Sequence, residues 1–233
     1  MRRKEESYRF PSILVLVAAL DEQEGIRLTL AELKHYLPCS TLLVVDGNSS
    51  DETVHAAKSQ GADVIFQKGE GKGDAISCGL ESVNSEFDYV VFIDADYTYP
   101  AERLQQMIEI LEANPEIGMV CGNRFNAHMT KDLMPAAFNF GNRMLSFVHN
   151  FFNGVSLQDP LTGLRVVRWN ILKNWRPASK GFDVEVELNH HVERQGYDIK
   201  EIDILFRKRV GEKKLKARHG LSIMKRILIE IAA

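Results

Sequence analysis

The sequence predicts a single α/β domain, an open and mostly parallel sheet with helices on both faces. Three observations carry this reading. Four short runs, 13–19, 42–45, 64–66 and 89–93, are continuously apolar, as strands buried on both sides are. Segments with helical spacing of apolar residues follow them, at 26–36, 51–60, 74–83 and 100–113. Asp21, Asp46 and Asp94 fall at or just beyond the ends of three of the runs. That is the edge at which open parallel sheets bind ligands.

In chain order, the run at 13–19 supplies the first strand and 26–36 the first helix. After the strand at 42–45, Ser49 or Ser50 is placed to cap the helix at 51–60, with Asp51 and Glu52 in its first turn. The strand at 64–66 leads into the glycine-rich stretch Gly69-Glu70-Gly71-Lys72-Gly73-Asp74 and a third helix. The strand at 89–93 is followed by Pro100, which opens the fourth helix. Beyond a further strand at 118–122 the alternation changes. Residues 136–152 are apolar with Arg143, His149 and several Asn, and read as one amphipathic helix. A strand at 164–168, a helix at 184–194 and an alternating strand at 199–206 come next. Residues 221–231 show helical spacing with Lys225 and Arg226 among the apolar positions. No linker is long enough to divide the chain. The expected organisation is an extension at 1–11, one domain at 12–216 and an amphipathic helix at 217–233.

A chain of 233 residues suffices for such a domain with a sizeable core. Its 45% hydrophobic and 26% charged content is that of a globular protein. A net charge of −3 gives no general attraction to polyanions, so nucleic acid is not an expected partner. Cys39, Cys78 and Cys121 lack metal-binding spacing and read as reduced, buried thiols of a cytoplasmic protein. No run nears the roughly 18 apolar residues of a membrane span. The first six residues, Met-Arg-Arg-Lys-Glu-Glu, lack the apolar core of a signal peptide.

Asp94-Ala95-Asp96 ends the most apolar run of the chain. Residues two apart on a strand point the same way, so both carboxylates aim at one cation. Hard oxygen ligands suit Mg²⁺ or Mn²⁺; the alternative is a solvated turn. Asp46 is placed to accept a hydrogen bond from a nucleotide base, or simply to form a turn. Asp51 reads as a helix-start charge. The loop at 69–74 lets backbone amides approach phosphate, with Lys72 adding charge. It lacks P-loop spacing, and a flexible loop is the other reading.

Several of these elements together resemble the family 2 glycosyltransferases. They are Ala18-Ala19-Leu20-Asp21-Glu22, Val45-Asp46-Gly47-Asn48-Ser49-Ser50-Asp51, Gly71-Lys72-Gly73 and Asp94-Ala95-Asp96, in that order. Asp159-Pro160-Leu161-Thr162-Gly163-Leu164-Arg165, Gly181-Phe182-Asp183-Val184-Glu185-Val186-Glu187 and Arg209-Val210-Gly211-Glu212-Lys213-Lys214-Leu215 extend the likeness. The branch resembled is that of polyprenyl-phosphate sugar transferases, which contains dolichyl-phosphate mannose synthase. The resemblance runs from about Ser12 to Lys216.

The resemblance implies a GT-A fold, a Rossmann-like single domain. It implies a donor side built from Ala18, Asp21, Glu22, Asp46, Lys72, Asp94 and Ala95. Asp21 and Glu22 stand where Asn-Glu is usual, near base and ribose, and Asp46 is expected to read the base. Gly47 replaces a second Asp found in many relatives. Asp96 is the expected main metal ligand, with Asp94 beside it. Arg124 matches a basic residue near the acceptor phosphate. Arg209 and Lys214 match an element that grips phosphates, in which Lys213 replaces the usual Ser. As ordinary surface residues, all three cations would simply be solvated.

Asp159 has three readings: a base for a hydroxyl acceptor, a positioning residue, or a turn cap before Pro160. Glu185 and Glu187 share a face only in a strand; in a helix the facing pair is Asp183 and Glu187. A contact with sugar hydroxyls and a structural ion pair are both open for this group. His190 and His191 cannot share a metal from one helix and are expected at the surface.

The expected activity is inverting, metal-dependent transfer of a hexose from a nucleotide sugar, GDP-mannose or a UDP-hexose, to dolichyl or polyprenyl phosphate. A phosphate acceptor is already an anion and needs no general base; a hydroxyl acceptor does. The alternatives are a family 2 enzyme with a hydroxyl acceptor and a non-catalytic sugar-nucleotide-binding subunit. A polyprenyl acceptor implies work at the cytoplasmic face of a membrane. The segments 136–152 and 221–231 either rest there or pack on the core.

Overall fold

The computed structural model describes residues 9–125, 146, 148, 150, 157–212, 214 and 219–232. Its strands are β1 Ile13–Ala19, β2 Thr41–Asp46, β3 Asp63–Phe66, β4 Tyr89–Phe92, β5 Ile117–Asn123, β6 Arg165–Arg168 and β7 Asp198–Asp203. Its helices are α1 Gln23–Tyr36, α2 Thr53–Ser59, α3 Lys72–Ser82, α4 Leu104–Ala113, α5 Trp169–Leu172, α6 Val184–Arg194 and α7 His219–Ala232. The strands form one sheet in the order β3-β2-β1-β4-β6-β5-β7.

The uninterrupted apolar runs have a simple cause. Val15, Val17, Val44 and Val91 face one core, with Ile26, Leu30 and Leu33 of α1 and Leu104, Met107, Ile108 and Leu111 of α4. Leu14, Leu16, Leu43, Val45, Val90 and Phe92 face the other, with α3, α5 and α6. A strand covered on both sides needs apolar residues at odd and even positions alike. Each fully buried side chain contributes roughly 1.5–3 kcal/mol by its removal from water.

Several expectations change. The run at 64–66 lies at the sheet edge, where only β2 pairs with it, and Phe66 is 55% exposed. The strand at 164–168 is antiparallel to both β4 and β5. This reversal brings its amino end to the edge where the other strands end: Arg165 pairs with Phe92 and with Cys121. Neither Ser49 nor Ser50 caps α2, which starts at Thr53; Asp51 accepts from the Thr53 amide at 2.9 Å instead. Cys39 is exposed, while Cys78 and Cys121 are buried. His190 is buried, and His191 Nε2 donates to Ile171 O, 2.8 Å away, its ring stacked on Trp175. Both are packed in α6 rather than set at the surface. Burial, with Arg194 nearby, pushes the His190 imidazole down to about 4. The expected helix at 136–152 falls largely outside the described residues, as do most of 1–11 and Lys213. In α7, Ile223 and Ile227 pack against Val186 of α6.

Candidate active site

A cavity of about 640 Å³ opens at the carboxyl edge of the sheet. Ala18 reaches it from the end of β1, Glu22 and Gly47 from the turns after β1 and β2, Asp94, Ala95 and Asp96 from the turn after β4, and Arg124 from the end of β5. Gly163 reaches it from the start of β6, and Arg209 and Lys214 from the segment after β7. The described non-glycine residues with positive φ are Asp21 (47°), Asn48 (64°) and Tyr97 (65°), one in each turn after β1, β2 and β4. Such conformations cluster at functional sites because packing must hold them. Tyr97 is held under the Arg207 guanidinium, 4.7 Å from its ring centre.

β4 ends at Phe92, so strand alternation does not orient Asp94 and Asp96; the following turn does. Asp96 is buried. Its Oδ1 accepts from the Thr98 amide at 3.1 Å and the Thr98 hydroxyl at 2.5 Å, and its Oδ2 accepts from Arg209 at 2.6 Å. Burial, then the neighbouring Asp94 charge, pushes the Asp96 carboxyl up against the pull of Arg209. Gly163 packs so tightly on Asp94 that an added Cβ would overlap its Oδ2. Glu22 pairs with the same Arg209, but its Oε2 is buried without a partner among the described residues. Burial raises its carboxyl to about 7, although Arg209 opposes this.

These groups fit a divalent cation. Acidic groups crowd one another, and one buried carboxylate oxygen has nothing to bond. Among the described residues no three His, Cys, Asp or Glu could hold an ion alone. An ion held by one or two carboxylates and substrate phosphates needs no such cage.

Lys72 is fixed between two acids. Its Nζ lies 2.5 Å from Asp94 Oδ1 and 2.7 Å from Glu185 Oε1. Burial opposes its charge, but Asp94 and Glu185 outweigh burial and raise its pKa above the usual lysine range. Two backbone amides of the glycine-rich loop are already engaged within the chain. The Gly73 and Asp74 amides donate to Lys180 O at 2.9 and 3.3 Å, while Gly71 and Lys72 line the cavity.

Asp21 and Asp46 do not line the cavity. Asp46 has no exposed surface; its oxygens accept from the Ser49 amide at 2.8 Å and the Ser49 hydroxyl at 2.6 Å. Asp21 accepts from the Ser50 amide at 2.7 Å, and its own amide donates to Ser49 Oγ at 2.9 Å. In this arrangement the two acids lace the turn after β1 to the turn after β2. They shape that wall of the cavity rather than present oxygens to it.

Asp159 is 1% exposed and also lies outside the cavity lining. Arg124 grips it as a fork, Nε to Oδ2 at 2.6 Å and NH2 to Oδ1 at 2.7 Å, and the Arg124 amide adds a third bond at 3.0 Å. The guanidinium carbon is 5.5 Å from the Phe206 ring centre and 5.8 Å from that of Phe125. Of the three readings for Asp159, the geometry matches positioning, because both carboxylate oxygens are occupied by a cation. Asp159 is not placed to touch a substrate.

Glu185 is a wall residue that the motifs left unassigned. Its Oε2 is buried without a partner among the described residues. Asp183 and Glu187 face the other way, Arg226 reaching both at 3.3 and 3.8 Å. The (i, i+4) spacing separates this pair from Glu185 once the segment is known to be helical.

The model of the family described as glycosyl transferase family 2 matches residues 14–175. The chain belongs to the family 2 glycosyltransferases and is an enzyme of that class. It is 26% identical over 226 residues to the dolichyl-phosphate hexose transferase of Haloferax volcanii, covering 96% of this chain and 95% of that one. It is 27% identical over 218 residues to the undecaprenyl-phosphate mannosyltransferase of Micrococcus luteus, covering 87% of each. Two further curated relatives are longer, and the match spans 59% and 50% of their lengths. Glucosyl-3-phosphoglycerate synthase from Mycobacterium tuberculosis, solved with Mn²⁺, UDP-glucose and phosphoglyceric acid, superimposes with a TM-score of 0.74 at 22% identity. That match covers 95% of this chain and 80% of the other, and it shows the GT-A fold.

Proposed function

We propose that the cavity transfers a hexose, with inversion, from a nucleotide sugar to a polyprenyl phosphate. The supporting observation is the state of its acids. Among the described cavity-lining residues, Glu22 and Asp96 pair with Arg209, and Asp94 and Glu185 pair with Lys72. Asp159 is withdrawn onto Arg124. Glu22 and Glu185 each keep one oxygen unbonded among the described residues, but every one of these acids already carries a cation. A hydroxyl acceptor needs a base free of such a partner, whereas a phosphate acceptor needs only cations. Arg124, Lys208, Arg209 and Lys214 supply them around the cavity.

An acceptor phosphate oxygen attacks the anomeric carbon of the sugar, and the bond from that carbon to the donor diphosphate breaks on the opposite side. Lys72 holds a fixed positive charge beside the Asp94 turn. Arg124 presents a guanidinium whose orientation Asp159 sets. Arg209 and Lys214 reach the cavity from the other side. A Mg²⁺ or Mn²⁺ ion held by Asp96, with Asp94 and Glu22 beside it, would offset charge on the leaving diphosphate. The relatives' names support the polyprenyl phosphate acceptor. No helix among the described residues is long and apolar enough to cross a membrane. A peripheral placement at a membrane surface is supported by α7, whose Leu221 (78%) and Leu228 are exposed with Lys225 between them.

The test is an assay of radiolabelled GDP-mannose, UDP-glucose and UDP-N-acetylglucosamine with Mn²⁺ against polyprenyl phosphate and free polyprenol in detergent. Transfer to the phosphate alone is expected. Equal transfer to both acceptors overturns this reading and restores the hydroxyl acceptor.

A further inference from the structure

Arg209 bridges two carboxylates that come from different parts of the chain. Its NH1 donates to Asp96 Oδ2 at 2.6 Å, and its NH2 pairs with Glu22 Oε1. The pairing is incomplete on both sides: Arg209 Nε and Glu22 Oε2 are buried without hydrogen-bond partners among the described residues. Leaving a buried polar group unpaired costs about 1–3 kcal/mol, so structural ion pairs satisfy such atoms. Here one monovalent group spans two acids, with the Asp94–Lys72 pair beside Asp96 and the Lys214 charge acting on Glu22.

We infer that Arg209 is a resident counter-cation: its guanidinium holds the place between Glu22 and Asp96 that a divalent ion takes over, and on displacement it becomes a ligand of the donor diphosphate. This inference rests on the metal-dependent reading proposed above. The backbone around Arg209 suits an exchange made by the side chain alone. Arg207 N donates to Thr98 O at 2.9 Å and Val210 N to Asp96 O at 3.1 Å, which pins the main chain on both sides. Gly211, at φ 89°, leaves room for the unpaired Glu22 oxygen, since a Cβ there would stand 2.9 Å from Oε2. Charge is compensated before and after. The acids trade a guanidinium for a metal ion, and the guanidinium trades carboxylates for phosphate oxygens, which it binds with the same fork.

The inference predicts opposite signs for two affinities of one variant. Mn²⁺ binding to the purified, nucleotide-free protein is measured from the electron paramagnetic resonance of free Mn²⁺. Arg209→Gln should bind Mn²⁺ at least about tenfold more tightly than wild type, because a competitor that populates the site lowers apparent affinity by its own occupancy. With Mn²⁺ saturating, whichever of GDP and UDP binds wild type better should bind Arg209→Gln about tenfold more weakly, for loss of a charge-assisted phosphate contact. Arg209→Lys keeps a charge and should stay near wild type in Mn²⁺ affinity, which separates competition from damage to the fold. Unchanged or weaker Mn²⁺ binding in Arg209→Gln overturns the inference, as does a failure of Mn²⁺ to bind either protein. Asp96→Asn should abolish Mn²⁺ binding in both backgrounds. If it does not, the metal assignment itself has failed. The titration contains no acceptor, so an error in the polyprenyl phosphate assignment leaves its outcome unaffected.

Discussion

Two arginines enter the same cavity, and each meets carboxylates, yet the two arrangements differ in kind. Arg124 closes on Asp159 with a two-pronged fork and an added backbone amide, and both carboxylate oxygens are satisfied. Arg209 divides itself between Glu22 and Asp96 and leaves one buried atom unpaired on each side. The first is a permanent mount: a rigid guanidinium whose direction is set from behind. The second is an arrangement that a better cation can improve. An ion pair's completeness, more than its presence, separates a fixed part of this site from a movable one.

The largest expected effect tests the permanent mount. Asp159→Ala strands a buried guanidinium and should destabilise the fold by about 3–5 kcal/mol, read from urea unfolding at pH 7. A loss below about 1 kcal/mol would mean that Arg124 is not dependent on Asp159, and the contrast between the pairs would dissolve. Next comes the metal carboxylate. Asp96→Asn should lower kcat for transfer by about 10²–10³-fold, the order seen when one electrostatic contact to a transition state is removed. The protein should stay folded, since Thr98 can still bond the amide oxygen and Arg209 keeps Glu22. Undiminished transfer at saturating donor and Mn²⁺ would remove Asp96 from the site. Arg124→Lys is milder. It keeps the charge but loses the fork, so acceptor KM should rise about tenfold while donor KM stays put. A rise in donor KM instead would place Arg124 on the wrong side of the reaction.

How much of this was visible in the sequence depends on distance along the chain. Strands β1, β2 and β4 were legible because burial on two faces writes itself as unbroken apolar residues. The position of Asp94 and Asp96 followed from the end of such a run. Their orientation did not, because the strand stops at Phe92 and the turn directs both side chains. The reversed direction of β6 was illegible, since a buried strand reads alike in either sense. Asp21 and Asp46 were located at the correct edge, but nothing local announced that Ser49 and Ser50 would engage their oxygens. Asp159 and Arg124 stand 35 positions apart, and Arg209 and Glu22 stand 187 apart. Pairings of that reach are written by the sheet order, and no spacing rule reports them.

The smallest expected effect is the stability of Arg209→Gln, and its pH dependence carries the sharper information. If the split pair contributes little to folding, the variant should lose no more than about 1 kcal/mol at pH 5, as for a weak surface pair. A loss equal to that of Asp159→Ala would make the two pairs alike after all. Glu22 then supplies the sign. Burial raises its carboxyl to about 7 in the folded protein, from an ordinary value of 4.5. The folded state thus holds its proton more tightly than the unfolded chain, and stability falls as pH rises from 4.5 through 7. Arg209 pulls the folded value down, so it moderates that fall. Without it the folded value climbs and the fall continues to higher pH. Every tenfold tightening of the proton's hold on folded Glu22 deepens the loss by about 1.4 kcal/mol. Arg209→Gln should therefore be more destabilised relative to wild type at pH 8 than at pH 5, measured by urea unfolding at both. A difference independent of pH would show that Arg209 does not bear on the Glu22 carboxylate, and the bridge between the two acids would lose one of its ends.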